Sequence, residues 1–147
     1  MKISTRGRYG LKAMAEFAEK YSADETNVLS LNAVSEKHGI SESYLEQIIN
    51  PLKKAGLLKS IRGAGGGYVL SRAPDTITVG EILRLVEGSL SPAECLDGGD
   101  VCGGGTCRDC AAKPVLGKLF DAVNGVVDSV TLSDIANLND NKKEIDV

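Results

Sequence analysis

Four cysteines, Cys95, Cys102, Cys107 and Cys110, crowd into one short stretch of a 147-residue chain that has no others. Their spacing is C-x6-C-x4-C-x2-C, interleaved with Gly98, Gly99, Gly103, Gly104 and Gly105. Thiolates are soft ligands that suit Zn, Cu(I) or iron-sulfur clusters, and glycines let a short loop turn its sulfurs toward one centre. Four sulfurs fill a tetrahedral zinc site or a 2Fe-2S cluster equally well, so the spacing alone does not choose. Zinc sites more often show two C-x2-C pairs, and only Cys107 and Cys110 form one here. In a reducing cytosol the clustering argues for a metal centre rather than disulfides. Thiol-disulfide catalysis by the C-x2-C pair lacks its βαβ setting. No nucleophile, base and acid form a catalytic pattern, so the chain is expected not to be an enzyme.

The cysteines sit in a segment, Ser89 to Ala112, with little periodicity, and long loops of this kind are usually functional. Lys113-Pro114 then opens a helix in which Val115, Leu116, Leu119, Phe120, Val123, Val126, Val127 and Val130 make a wide apolar stripe. Thr131 to Asp134 has capping-box spacing and starts a last short helix, after which NDNKKEIDV reads as frayed. Upstream, residues 5 to 22 predict a helix from Tyr9, Ala13, Phe17 and Tyr21, capped by Ser4 or Thr5. Ser30 caps a short helix that ends at Gly39. Ser41 opens another, SESYLEQIIN, whose Leu45, Ile48 and Ile49 face inward. The tight turn between these two makes a helix-turn-helix. Pro51 is expected to offset the helical continuation LKKAG, which Gly56 stops. LLKSIR and YVLS, around GAGGG, read as a hairpin, and a helix-turn-helix followed by a hairpin is a winged helix. Thr78 to Glu81 is a further capping box, opening a helix that ends near Gly88.

Charge divides along the chain. Through Ala73 there are 11 Lys/Arg against 7 Asp/Glu, and from Pro74 onward 6 against 13. The basic half is the half to meet phosphate, although chains of this size often show such asymmetry by scatter. A helix-turn-helix sets the start of its second helix in the major groove. Ser43, Tyr44, Glu46 and Gln47 stand there. Gln47 has the chemistry to pair with adenine and Glu46 to accept from a cytosine amine. Solvated polar residues, and a packing role for Tyr44, remain open alternatives. On the wing, Arg62 precedes Gly63, Gly65, Gly66 and Gly67, a planar cation on a tip with almost no bulk, which makes it the first candidate for DNA affinity. Lys2, Arg6, Arg8, Lys53, Lys54 and Lys59 would add sequence-independent phosphate contacts. The glycine tip lacks the Lys-Ser/Thr ending of a phosphate-binding P-loop. His38, the only histidine, reads as a surface residue with no soft ligand beside it.

The opening KISTRGRYGLKAM, the block ISESYLEQIINPLKKAGLLKSIRGAGGGYVL, and ITVGEIL closely resemble the IscR, NsrR and CymR family of bacterial winged-helix regulators, and the likeness runs through the cysteine loop to TLSDI. The resemblance implies a homodimer that binds a palindromic double-stranded DNA operator, with the long helix after the loop as dimer element. Cluster-binding members hold a 2Fe-2S cluster with three loop cysteines, matched by Cys95, Cys102 and Cys107, and a histidine, in whose place this chain has Cys110. An all-thiolate cluster would have the lower potential. NsrR-like nitric oxide sensors use a carboxylate near the start of the chain, where this sequence has Arg6 and Arg8. CymR-like regulators of cysteine metabolism bind no cluster and do not need these thiols. The expected fold class is mostly α with a small β-hairpin, a winged helix-turn-helix plus a long dimerisation helix. Its expected parts are a DNA-binding domain (1-88), a cluster-binding loop (89-112), and a dimerisation helix with C-terminal segment (113-147). The expected function is a cytoplasmic iron-sulfur cluster-sensing transcriptional repressor of cluster assembly genes; a zinc- or thiol-redox-sensing regulator and a CymR-like regulator are the alternatives. No apolar run is long enough to span a bilayer, so no membrane partner is expected.

Overall fold

The computed structural model describes residues 2–99 and 107–145. Helix α1 (Thr5–Glu19) starts at Ser4, whose Oγ accepts from the Gly7 N–H. It ends before Tyr21, earlier than the apolar repeat suggests, because the chain tightens there: the Tyr21 N–H turns to the Ala18 carbonyl. Tyr21 still packs against the core from beyond the helix end. Helix α2 (Leu31–His38) is capped by Ser30 and closed by Gly39, whose φ of 64° is a left-handed conformation that glycine adopts without steric cost.

Helix α3 (Glu42–Lys54) is capped by Ser41 and runs unbroken through Pro51, where an offset was expected. Its inward stripe, Leu45, Ile48, Ile49 and Leu52, has no exposed surface. Full burial of such a side chain contributes roughly 1.5–3 kcal/mol. Four of them on one helical face outweigh the ~3 kcal/mol that an interior proline costs.

Strands β1 (Leu58–Ile61) and β2 (Gly67–Leu70) pair antiparallel with Leu58 opposite Leu70 and Ile61 opposite Gly67. Leu29, which the sequence pattern leaves in a linker, adds a third edge to this hairpin. Its N–H donates to the Tyr68 carbonyl at 3.1 Å and its carbonyl accepts from the Tyr68 N–H at 2.8 Å. A Cβ on Gly67 would lie 2.4 Å from that Leu29 carbonyl oxygen, so the close approach requires glycine.

A single 3-10 turn, Pro74–Thr76, leads to α4 (Val79–Glu87). Thr78 Oγ1 accepts from the Glu81 N–H at 3.1 Å. The Glu81 carboxylate turns instead to Arg72, and the neighbouring Val79 N–H goes to the Val130 carbonyl, tying the start of α4 to the end of the later helix. Two more 3-10 turns, Glu94–Leu96 and Cys107–Asp109, flank the cysteine loop. Helices α5 (Lys113–Ser129) and α6 (Leu132–Ile145) follow. The Thr131–Asp134 capping box is complete, with Thr131 N–H to Asp134 Oδ2 at 2.9 Å and Asp134 N–H to Thr131 Oγ1 at 3.3 Å. Helix α6 is longer than the short helix expected, because it docks on α1. Leu132 and Ala136 are buried in the main core with Met14 and Phe17, and Asn139 donates to Glu19 at 3.1 Å. A second, smaller cluster of Val79, Leu83 and Leu90 receives Phe120, Val127 and Val130 from α5 and its end. Among the described residues no helix is long and apolar enough to cross a membrane.

Candidate nucleic-acid interface and thiol site

Because the α3 stripe is spent on the core, Ser43, Glu46 and Gln47 are left exposed on its outer face, near the helix start. The first turn carries backbone N–H groups suited to phosphate. Tyr44 is half-buried, and its ring stands edge-on to Tyr9 with centroids 6.4 Å apart. It braces α3 against α1.

Proline supplies no N–H, so Pro51 leaves the Gln47 carbonyl without its intrahelical partner. Arg6 fills the gap: its Nη2 donates to the Gln47 oxygen at 3.1 Å. Arg6 is thus bonded to the backbone of α3. Arg8 is exposed and reaches Thr5 Oγ1 at 3.2 Å. Lys53 lies over the Tyr68 ring at 5.9 Å, and Lys59 pairs with Glu25. On the wing, Arg62, Gly63 and Gly65 are all exposed. Gly63 holds φ at 117°, and its carbonyl accepts from the Gly66 N–H at 3.0 Å, which closes the tip into a tight turn. The exposed outer face of α3 and the glycine-tipped hairpin, with Arg8 and Arg62, are thus left free of the core.

Of the cysteines, Cys107 is buried, Cys95 and Cys110 are half-buried, and all three are free thiols. Cys102 lies outside the described residues. Cys95 belongs to the Glu94–Leu96 turn and Cys107 to the Cys107–Asp109 turn, while the Cys110 carbonyl accepts from Lys113 N–H at 3.2 Å, at the start of α5. Among the described residues no three His, Cys, Asp or Glu side chains are gathered closely enough to hold an ion. The donor chemistry fits a soft metal or an iron-sulfur cluster; the described residues do not assemble the set.

The family model of Rrf2, described as an iron-dependent transcriptional regulator, matches residues 3–138. The chain belongs to the Rrf2 family of transcriptional regulators. Among curated Rrf2-type relatives, the HTH-type transcriptional regulator CymR of Bacillus subtilis (strain 168) is 45% identical over 144 residues, covering 98% of this chain and 96% of CymR. The HTH-type transcriptional regulator IscR of Enterobacter sp. (strain 638) is 36% identical over 147 residues, covering all of this chain and 85% of IscR. Among solved structures, CymR, described as the global cysteine regulator of B. subtilis, superposes with a TM-score of 0.76 at 43% identity, covering 94% of this chain and 98% of that one. T. potens IscR superposes with a TM-score of 0.72 at 38% identity, covering 98% and 90%. The fold is accordingly the winged helix of Rrf2 regulators, mostly helical with one two-stranded hairpin.

Two features of this Rrf2 chain escape a reading along the sequence. The Arg6 bond to Gln47 is half-legible, since a proline four residues on marks the orphaned carbonyl, but nothing local names the donor. His38 is half-buried rather than on the surface, with Nε2 3.4 Å from Glu16 Oε1.

Proposed function

We propose that the chain is a cytoplasmic, homodimeric transcriptional repressor that binds palindromic operators and senses iron-sulfur supply through a 2Fe-2S cluster held by Cys95, Cys102, Cys107 and Cys110. Its regulated genes would be those of cluster assembly. The observation that carries this reading is the gathering of all four cysteines of the chain in one loop of a winged-helix regulator. When bound, the cluster would supply a redox-sensitive tie among the four thiolates. The chain's own part follows from its topology. Cys95 stands near the start of the loop and Cys110 abuts α5, so ligands from both ends would fix the first turn of α5 relative to α4.

Helix α5 supports the homodimer. It has no buried residue, and Val115, Leu119 and Val126 are 60%, 50% and 63% exposed. Leu119, Ala122, Val123 and Val126 line a groove of about 300 Å³ along it. A contiguous apolar strip of this kind is covered in a working protein, and a second copy of the helix is self-complementary to it. Two reading heads would then face successive major grooves, with Arg62, Gly63 and Gly65 of each wing on the flanking backbone and Ser43, Glu46 and Gln47 over base edges. The three units 1-88, 89-112 and 113-147 would serve reading, sensing and pairing.

The 45% identity to B. subtilis CymR favours a second reading, a regulator of cysteine metabolism that holds no cluster. Anaerobic purification followed by a visible spectrum and iron and sulfide assays separates the two. The cluster reading expects colour, with iron and sulfide in equal amounts, and loss of both in Cys107→Ala. Comparison with Cys110→Ala tests the fourth ligand. A colourless protein with stoichiometric zinc would sink the cluster reading in favour of a zinc regulator, and a colourless metal-free protein would leave the CymR-like role.

A further inference from the structure

Helix α4 offers a different side to each of its neighbours. Ile82 and Val86, one turn apart, enter the main core with Met14 of α1 and Leu45 of α3. Val79 and Leu83 belong to the second cluster, which receives Phe120 and Val127 of α5. Gly80 and Arg84 make a third edge, and Asp128 of α5 is laid against it. A Cβ on Gly80 would overlap Asp128 Oδ1, so the carboxylate occupies room that only a missing side chain leaves. One turn further on, Arg84 Nη1 and Nη2 donate to the two Asp128 oxygens at 2.7 and 2.9 Å, and Nη2 also donates to Asn124 Oδ1 at 2.7 Å. Asn124 and Asp128 are one helical turn apart, so a single planar guanidinium grips two successive turns of α5.

Little else sets the direction of α5. None of its 17 residues is buried. Its C-terminal end is pinned to the start of α4 by the backbone, where Val79 N–H donates to the Val130 carbonyl and Leu132 N–H to the Ile77 carbonyl, each at 2.9 Å. The apolar contacts of Phe120 and Val127 resist separation of the two helices but not rotation, since burial has no preferred direction. A two-pronged guanidinium–carboxylate pair does have one, because both bonds are lost together when the helix swings. The side chains of Arg84 and Asp128 are 40% and 47% exposed, and an ion pair so placed adds little to stability. Direction is what it supplies. A tilt of about 10° displaces the far end of a 17-residue helix, about 25 Å long, by roughly 4 Å, more than the ~3.4 Å between successive base pairs.

We propose that Arg84 is a positioning residue for operator spacing, on the reading above of α5 as the element that joins two copies. By clasping Asp128 and Asn124 it fixes the angle between the pairing helix and the winged helix-turn-helix. Two-fold symmetry repeats that angle in the second protomer, and the pair of angles selects the separation of half-sites that one dimer accepts. Arg84 touches no DNA in this scheme; it acts through α5.

The test is selection from one random-sequence duplex library by full-length wild type, Arg84→Ala and Asp128→Ala, with sedimentation of each protein. The wild type should enrich two inverted half-sites at one spacing. It should bind that duplex at least about tenfold more tightly than duplexes with one base pair added or removed between the halves, a penalty comparable to one mismatched pair. Both variants should select the same half-site, while the spacing preference shrinks to about threefold or less, or moves to another spacing. The two substitutions remove charges of opposite sign, so a spacing effect shared by both marks the pair rather than the attraction of either group for phosphate. An unchanged single spacing in both variants, opposite shifts in overall affinity without a change of spacing, or a monomeric Arg84→Ala beside a dimeric wild type would each overturn the proposal and leave the dimer reading intact. A monomeric wild type, or a dimeric one that enriches only single half-sites, would overturn that reading and the proposal with it.

Discussion

Removing the Arg6 guanidinium should destabilise the protein only because Pro51 stands four residues after Gln47. In the native chain the Gln47 carbonyl has no helical N–H to accept, and Arg6 Nη2 bonds it at 3.1 Å. A hydrogen bond with one charged partner contributes roughly 1.5–3 kcal/mol when well shielded, and partial exposure at this helix surface brings the expected loss in Arg6→Ala to about 1 kcal/mol. Pro51→Ala restores an N–H at the fourth residue on, so the carbonyl gains its intrahelical partner and the arginine becomes a second donor to an already satisfied oxygen. Arg6→Ala should then cost about half as much or less, giving a coupling energy of roughly 0.5–1 kcal/mol. Urea unfolding of the four proteins of this cycle, at one protomer concentration, measures it. With slopes of about 1–3 kcal/mol per molar, 1 kcal/mol moves the midpoint by roughly half a molar, well above error. An equal cost of Arg6→Ala in both backgrounds would refute the reasoning, and would return Arg6 to the phosphate contacts expected from charge alone.

Leu119→Glu combined with Val126→Lys should convert dimers to monomers in sedimentation experiments while leaving helical circular dichroism intact; a persistent dimer would remove α5 as the pairing element. Arg62→Ala should lower DNA affinity for all sequences alike and reduce the salt slope by about one, the signature of a lost phosphate contact, and a sequence-selective loss would instead make Arg62 a base reader. Arg84 donates to both oxygens of Asp128, at 2.7 and 2.9 Å, and holds that carboxyl below its usual value of 3.8. A depressed carboxylate stabilises the fold above its unfolded value and loses that contribution as pH falls through the folded one. Asp128→Asn should therefore flatten the fall of the urea midpoint below about pH 4, whereas an unchanged acid limb would show that the pair contributes nothing to folding.

What could be read along the chain is what closes within a few residues. Ser30, Ser41 and the Thr131–Asp134 box cap their helices as their spacing requires, because each cap and its N–H target are three residues apart. The wing was legible for the same reason, from glycines between two β-prone runs. The apolar stripe of α5 was visible but undivided. The fold parts it into Phe120 and Val127, which pack with Val79 and Leu83 of α4, and Leu119 and Val126, which stay 50% and 63% exposed. The polar later residues of α6 give no sign along the chain of how far it runs, whereas docking of Leu132, Ala136 and Asn139 on α1 supports it.

Local chemistry in the sequence thus specified a winged reading head and a thiolate-rich loop, since caps, turns and ligand spacings act over one or two helical turns. Folding alone brought Arg6 to Gln47, 41 residues away, and joined Leu29 to the wing. It also drew His38, Glu16 and Ile135 around one cleft. Such pairings depend on how helices cross, which is set by the packing of the whole core and leaves no periodic mark on the segments that meet.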